Sequence, residues 1–473
     1  MRFQGFIGPT YKLDSVAADC QRLVGMYPEL NEAKTAPNGE KGRFVSVPGL
    51  RPYLTMGGTV RGAFTASTGD LYVVAGTKFF LVAKTGTVTE LGTLLTGTSR
   101  VSMDDNGLEI CLVDGVYGYT FNFASQTFAR ITAGGFVAAS AVRHIDGYFV
   151  ANQVGTKKFM ISGLLDGTAW DALDFASIEG TPDDLLTLEV LNKQVWFFKG
   201  KSIEVWYDSG AASFPFERIT GGLIQVGCAS PYCVATLGTT VIWLDSGASG
   251  QGVVWAANGY VPERISTHAI ERAIQGVRDL SGAYAWSYQD GGHSFYCLTI
   301  PYSGTTWCYD LATGLWHERV SLDSHNRRGP CRVTHHAFAY NRHFVAGEAE
   351  LYRLDHDYYR DGAYPLLRLR TSPHLNSSGK RLFCSKFQLD METGVGLDGG
   401  AAEPQAMLRW SDDRGHTWSG IRTVPIGKIG AFNARAIWRR LGSGMDRVFE
   451  VSITDPVPVS ILGADLEIQA GER

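Results

Sequence analysis

The chain has 473 residues, 44% hydrophobic, 12% aromatic and 19% charged, with 56 glycines and a net charge of −4. This mixture of glycine turns and aromatic runs is unlike a helical bundle, and the near balance of charge excludes a dedicated nucleic-acid wrapper, although DNA sliding past is compatible with it. Nothing approaches the roughly 18 consecutive apolar residues of a membrane span, the N-terminus carries no secretory signal, and eight scattered cysteines read as buried free thiols made in a reducing cytoplasm.

Residues 1–50 read as an extended N-terminal arm, polar and marked by Pro and Gly, ending in a short strand from Arg43 to Val47. Such a segment cannot build its own core and has to lie on something, and it is available to reach a neighbouring subunit. From 51 to 365 one pattern recurs: a β-branched or aromatic run, a Gly-containing turn, and a second such run. "LYVVAGTKFFLVA" (71–83), "LEICLVDGVYGYTF" (108–121) and "VWFFKGKSIEVWY" (195–207) are examples, each an antiparallel hairpin. With Tyr72, Ile110, Phe149, Trp196, Ile242, Tyr296 and Phe344 as equivalent anchors, the steps run from 38 to 54 residues. Four-stranded propeller blades repeat at about 40–50 residues. The expectation is an all-β fold with a β-propeller of about seven blades, six or eight fitting nearly as well. One short helix is expected over 266–277, with Thr267 as cap, Ala269, Ile270, Ala273 and Ile274 as its apolar stripe, and Gly276 as its stop.

After 366 the pattern changes to strict alternation, as in "LLRLRTS", "KRLFCSKFQLDME" and "DRVFEVSIT". Strands with one face in and one face out over 366–473 read as an antiparallel, sandwich-like domain. Within it, "SDDRGHTW" (411–418) matches the Asp-box pattern of sialidase propellers. Its residues Ser411, Asp413, Gly415, Thr417 and Trp418 suit a hairpin closure: Asp413 accepts backbone N–H groups, Gly415 takes a positive φ, and Trp418 packs beneath. Neither further boxes nor an arginine cluster accompany it, so a structural turn is expected.

No catalytic constellation emerges, and neither a cofactor nor a metal is expected. Six of the eleven histidines fall between His317 and His356, but His335 and His336, adjacent on a strand, point to opposite sides and cannot chelate together. The pairs Asp104-Asp105, Asp183-Asp184 and Asp412-Asp413 read as solvated turn residues. "GASGQG" (247–252) lies between strands with no helix after it, which fails the context of a phosphate cradle. Cys228 and Cys233 are too widely spaced for a CxxC site.

Four stretches carry a resemblance: "NEAKTAPNGEKGRFVSVPGL" (31–50), closing on Pro48-Gly49-Leu50, "VRGAF" (60–64), "ERISTHAIERAI" (263–274) and "AIWRRLGSGMDRVFEVSITDPVPVSILGADLEI" (436–468). In these, and in their order, the chain resembles the tail hub, or packaged-DNA stabilization, proteins of short-tailed bacteriophages that infect Salmonella and related hosts. The resemblance implies a structural virion protein of the tail, without enzymatic activity. Six copies would form a ring below the portal and its adaptor ring, retain the genome, and form part of the ejection channel. That ring would hold tail spikes or fibres and a needle or plug, with only transient, non-specific contact with DNA. The alternative readings are a receptor- or glycan-binding tail module, suggested by 11 Trp and 20 Tyr, and a propeller sialidase or glycosidase with an acidic, arginine-rich pocket at its axis.

Overall fold

The computed structural model describes residues 1–31, 42–245, 252–397 and 403–471, so most of the "GASGQG" run lies outside the described residues. Six consecutive four-stranded units span 60–93, 102–130, 142–177, 185–224, 235–264 and 284–322, and form blades 1 to 6 of a propeller. Blade 7 takes three strands from 335–355 and its fourth from the strand Gly49–Thr55, which pairs antiparallel with Glu350–Asp355. The ring is thus closed by the start of the propeller chain. Gly49 is required there, because a Cβ would fall 1.7 Å from the Tyr358 carbonyl oxygen.

The seven anchors all lie on second strands of their blades, and the reason is burial on both faces. In blade 2, Ile110 and Leu112 join the cluster shared with Tyr72 and Phe79 of blade 1, whereas Cys111 and Val113 join Phe149 and Trp170 of blade 3. Side chains alternate across a strand, so a strand wedged between two neighbours must be apolar throughout. The helix His268–Gln275 buries Ala269, Ile270 and Ile274 against blades 5 and 6, whereas Ala273 is exposed. Thr267 occupies the N-cap position but makes no capping hydrogen bond. Instead the Ser266 hydroxyl donates to Glu271 at 2.6 Å, and Glu271 also receives the Arg264 guanidinium at 2.6 and 2.8 Å.

The C-terminal domain is a two-layered β-sandwich, and the N-terminal segment is part of it. One layer runs Met26–Leu30, Gly42–Ser46, Ser460–Ala470, Leu382–Met391, Ala436–Arg439. Phe3 and Phe6 enter the core between the layers with Phe44, Phe387, Trp438 and Phe449. Residues 1–31 and 42–48 are therefore not a free arm. Their apolar residues complete the sandwich core, which explains why they cannot stand alone.

The second layer continues out of the propeller. The outer strand of blade 6, Leu315–Leu322, pairs parallel with Cys20–Val24 at Val24 and Glu318, and Cys20–Val24 pairs antiparallel with Arg368–Thr371. Asp446–Ile453, Gln405–Ser411 and Arg422–Pro425 follow in the same sheet. One sheet thus belongs to both domains. The alternation reading of "LLRLRTS" fails here: all of Arg368–Thr371 is buried, because the N-terminal segment covers the face that the sequence suggested was exposed.

Candidate functional site

The first strands of the blades line the propeller axis. Arg100, Tyr232, Tyr284 and Thr334 stand at or just before the starts of the first strands of blades 2, 5, 6 and 7, so they share one mouth of the axis. The Arg100 guanidinium lies 4.8 Å from the Tyr284 ring centre and 5.1 Å from that of Tyr232, and it donates to the Thr334 carbonyl at 3.2 Å. Blade 2 lies across the ring from blades 5 and 6, so this side chain spans the opening. It borders a cavity of about 420 Å³ whose walls include Phe64, Met103, Asp104, Arg143, Glu189 and Trp286.

The carboxylates of this cavity are engaged. Arg143 donates from Nε to Glu189 at 2.9 Å and from a second nitrogen to the other carboxylate oxygen, and its third nitrogen reaches Ser102 Oγ at 2.9 Å. Asp104 accepts the backbone N–H groups of His144 at 2.8 Å and of Asp105 at 2.9 Å. Burial nonetheless raises the Asp104 carboxyl to about 6, against the lowering pull of Arg143 and these hydrogen bonds. Glycoside cleavage needs two carboxyl groups placed on either side of a bond. Here Glu189 is held by its arginine, and Asp104 by its backbone donors.

The aspartate pairs are not simple solvated turns. Asp105 is buried and accepts Ser67 N–H at 2.7 Å and the Ser67 hydroxyl at 2.6 Å, which ties blade 2 to a turn of blade 1. Asp412 receives the fully buried Arg447 at 2.6 and 2.9 Å. Asp183 accepts the Lys201 N–H at 2.9 Å. Each of these carboxylates is engaged by a donor distant in sequence, which a sequence does not locate.

In the Asp-box, Ser411 Oγ donates to Asp413 at 2.7 Å and accepts the Gly415 N–H at 2.8 Å, and Asp413 accepts the Thr417 N–H at 2.8 Å and its hydroxyl at 2.6 Å. Gly415 has φ +96°, and Arg409 lies over Trp418 at 4.7 Å. The turn joins Gln405–Ser411 to Arg422–Pro425 in the sandwich, away from the propeller axis.

The histidines gather at the seam of blades 6 and 7. His336 Nε2 and His343 Nδ1 are 2.9 Å apart, His293 meets Asp310 at 2.7 Å, and His356 meets Asp290 at 2.5 Å. His335 turns away, to the Thr334 hydroxyl at 2.9 Å. His317 is fully buried, and burial lowers its pKa to about 3. Among the described residues no group of three His, Cys, Asp or Glu could hold a metal ion. All eight cysteines are free and buried, but the fold brings the Cys228 and Cys233 sulfurs to 3.5 Å.

A second concentration of buried charge sits where the propeller meets the sandwich. Glu318, on the last strand of blade 6, receives Arg22 Nε at 3.1 Å and Nη2 at 2.5 Å, the Thr10 hydroxyl at 2.6 Å and the Thr305 hydroxyl at 3.0 Å. Burial pushes the Glu318 carboxyl up, but Arg22 and the two hydroxyls more than offset it, so its pKa ends below the ordinary glutamate value. Arg370 is fully buried and donates to the carbonyls of Phe6 at 2.8 Å, Pro9 at 2.9 Å and Gly5 at 3.2 Å, and to the Gln21 side chain at 2.7 Å. Among the described residues no carboxylate pairs with it, and burial lowers its pKa to about 9.

The comparisons with known proteins accord with this two-domain geometry. A family model described as bacteriophage P22 Gp10, beta-propeller, matches residues 22–359, and a second, bacteriophage P22 Gp10, beta-sandwich, matches residues 368–469. The chain belongs to the bacteriophage P22 Gp10 family. These are tail structural proteins, which places this Gp10-family chain among the structural components of the virion tail. No curated protein matches it. Three solved structures are similar at a distance. The first is a crystal structure of the mitotic checkpoint complex, at 12% identity and TM-score 0.42, covering 69% of this chain and 97% of that one. The extracellular domain of the hybrid two-component system BT4673 from B. thetaiotaomicron follows, at 10% identity and TM-score 0.45, covering 80% and 46%. The N-terminal domain of Nup159 gives 10% identity and TM-score 0.43, covering 70% and 98%. At these scores the likenesses are too distant to inform function.

Proposed function

We propose that this Gp10-family chain is the tail hub of a short-tailed phage. Six copies close into a ring beneath the portal adaptor, present docking surfaces to tail spikes or fibres and to a needle or plug, retain the packaged DNA, and form part of the channel through which it leaves. The role is mechanical and not catalytic.

The observation that carries this reading is the shared sheet between blade 6 and the sandwich, Leu315–Leu322 to Cys20–Val24 to Arg368–Thr371. A ring that holds a pressurised genome needs subunits that do not hinge between domains. Two domains on a linker move relative to each other by default; a sheet crossing the boundary, fixed by Arg22–Glu318, resists that motion. Closed cyclic symmetry then turns six stiff wedges into a ring with little internal freedom. The net charge of −4 fits a channel that lets DNA slide, since dense phosphate contacts would slow ejection.

The test is the copy number and position of this chain in purified virions, by quantitative mass spectrometry and cryo-electron microscopy. Six copies at the tail vertex are expected. A soluble monomer absent from particles would end the proposal.

A further inference from the structure

Arg100 stands apart from the other arginines of the propeller interior. Arg143 is paired with Glu189. Arg61 gives its N–H groups to the Ser99, Gly76 and Thr96 carbonyls and to the Thr96 hydroxyl. Arg319 donates to the Tyr288 hydroxyl at 3.3 Å and the Pro48 carbonyl at 3.1 Å. Arg100 makes one hydrogen bond, to Thr334, and among the described residues it has no carboxylate within ion-pair distance. The groups that act on its charge are the two tyrosines, while burial lowers its pKa.

Its geometry is fixed all the same. Tyr232 and Tyr284 cover the guanidinium at 5.1 and 4.8 Å, and are themselves joined by a parallel bridge between blades 5 and 6. The two rings pack against the ion, one N–H goes to the Thr334 carbonyl, and the side chain borders the cavity of about 420 Å³. A planar cation packed against two aromatic rings and half-buried without an anion among the described residues has the form that recognises a carboxylate through paired N–H donors. The remaining charge of the cavity is internally matched: Glu189 belongs to Arg143, and Asp104 to its backbone donors.

We propose that this axial mouth is a carboxylate-binding site. Arg100 is the binding residue, Tyr232 and Tyr284 are positioning residues, and Phe64, Met103 and Trp286 are the apolar walls for the body of the ligand. The cavity falls within the roughly 300–1,000 Å³ typical of small-molecule sites, so the ligand class is a small organic acid such as a sugar acid. A glutamate side chain from a partner's loop would present the same group. This site lies apart from the sheet shared by blade 6 and the sandwich, on which the hub reading rests.

The test is binding of 4-fluorobenzoate to the full chain, followed by ¹⁹F NMR. Glucuronate, glucose and a short peptide bearing a single glutamate serve as competitors. Saturable binding displaced by glucuronate or by the peptide, and not by glucose, is expected; whichever displaces at lower concentration identifies the source. Arg100→Gln should weaken binding roughly 10- to 100-fold, the range of a charge-assisted hydrogen bond, and Arg100→Lys should fall between, since it keeps the charge and loses the paired donors. If Arg100→Gln does not fold, Arg100→Lys and Tyr284→Leu carry the test, both expected to weaken binding. The absence of saturable binding to the wild type, or equal binding by wild type and the folded variants, would overturn the proposal.

Discussion

The two domains are held together in different ways. The propeller's seams are apolar and repetitive: each second strand sends alternate side chains to its two neighbours, as Ile110 and Leu112 do toward blade 1 and Cys111 and Val113 toward blade 3. The sandwich is also apolar inside, and the N-terminal segment adds Phe3 and Phe6 to that core, but its junction with that segment and with blade 6 also carries guanidinium groups largely removed from solvent. Arg370 binds three carbonyls and a glutamine, and Arg22 binds Glu318. A non-directional seam gains with area and tolerates divergence. A directional one fixes a single geometry, and fails abruptly when a partner is removed.

The largest difference between the two should appear on deleting residues 1–9. This removes Phe3 and Phe6 from the sandwich core and strips Arg370 of its three carbonyl acceptors, leaving a buried cation with the Gln21 side chain alone of the acceptors named above. Loss of the sandwich transition in calorimetry is expected, with the propeller still melting cooperatively, because no blade takes a strand from these residues. An unchanged sandwich transition would show that the N-terminal contacts do not hold the sandwich. Next in size is Phe79→Ala. Phe79 is fully buried at the seam of blades 1 and 2, against Tyr72, Phe121 and Phe128. Truncating a buried Phe costs about 3–5 kcal/mol, and urea unfolding should show that loss in the propeller while the sandwich midpoint stays put.

The same contrast explains what could be read from the sequence. Blade repeats were legible because both-face burial writes a continuous apolar run, as in "LYVVA" and "EICLV", at a steady spacing. The Asp-box turn was legible because the hydrogen bonds that close it run between near neighbours, from Ser411 and Asp413 to Gly415 and Thr417. The N-terminal segment was not, because its partners lie over 300 residues away, as Phe6 and Arg370 do. Nor was the axial site: Arg100 sits in a loop, and its partners Tyr232, Tyr284 and Thr334 come from three other blades. Arg368 and Arg370 carried the one local hint, two charges inside an apolar strand, but alternation reads equally well as an exposed face.

Glu318→Gln sharpens the junction side of the comparison with a smaller effect. The substitution keeps the shape and removes the charge that holds Arg22, costing about 1–3 kcal/mol, and it should loosen the propeller from the sandwich, moving their two thermal transitions further apart. The pH dependence has a definite sign. The folded carboxyl titrates below its unfolded value, so its stabilisation is complete above the ordinary glutamate range and is lost as the pH falls through the lower, folded value. Stability of the wild type should therefore fall more steeply than that of Glu318→Gln in acid. Identical slopes would mean that the pair contributes nothing to the coupling.

Asp413→Ala should have the smallest effect of all, and should stay local. Asp413 is at the surface; its carboxyl is held well below the usual range first by the Ser411 hydroxyl and then by Thr417. Its loss frees the Thr417 N–H and hydroxyl, both of which are exposed and can bond to water. Faster amide exchange at Gly415 and Thr417 is expected, with the melting temperature nearly unchanged and the hairpin Gln405–Ser411 to Arg422–Pro425 intact. The reason is that the neighbouring Asp412, which binds the buried Arg447 at 2.6 Å, anchors the same loop from the other side. Asp412→Ala should then cost more than Asp413→Ala, although Asp413 is the motif residue and Asp412 is not. The reverse order would show that the motif, and not the buried arginine, holds this end of the sandwich.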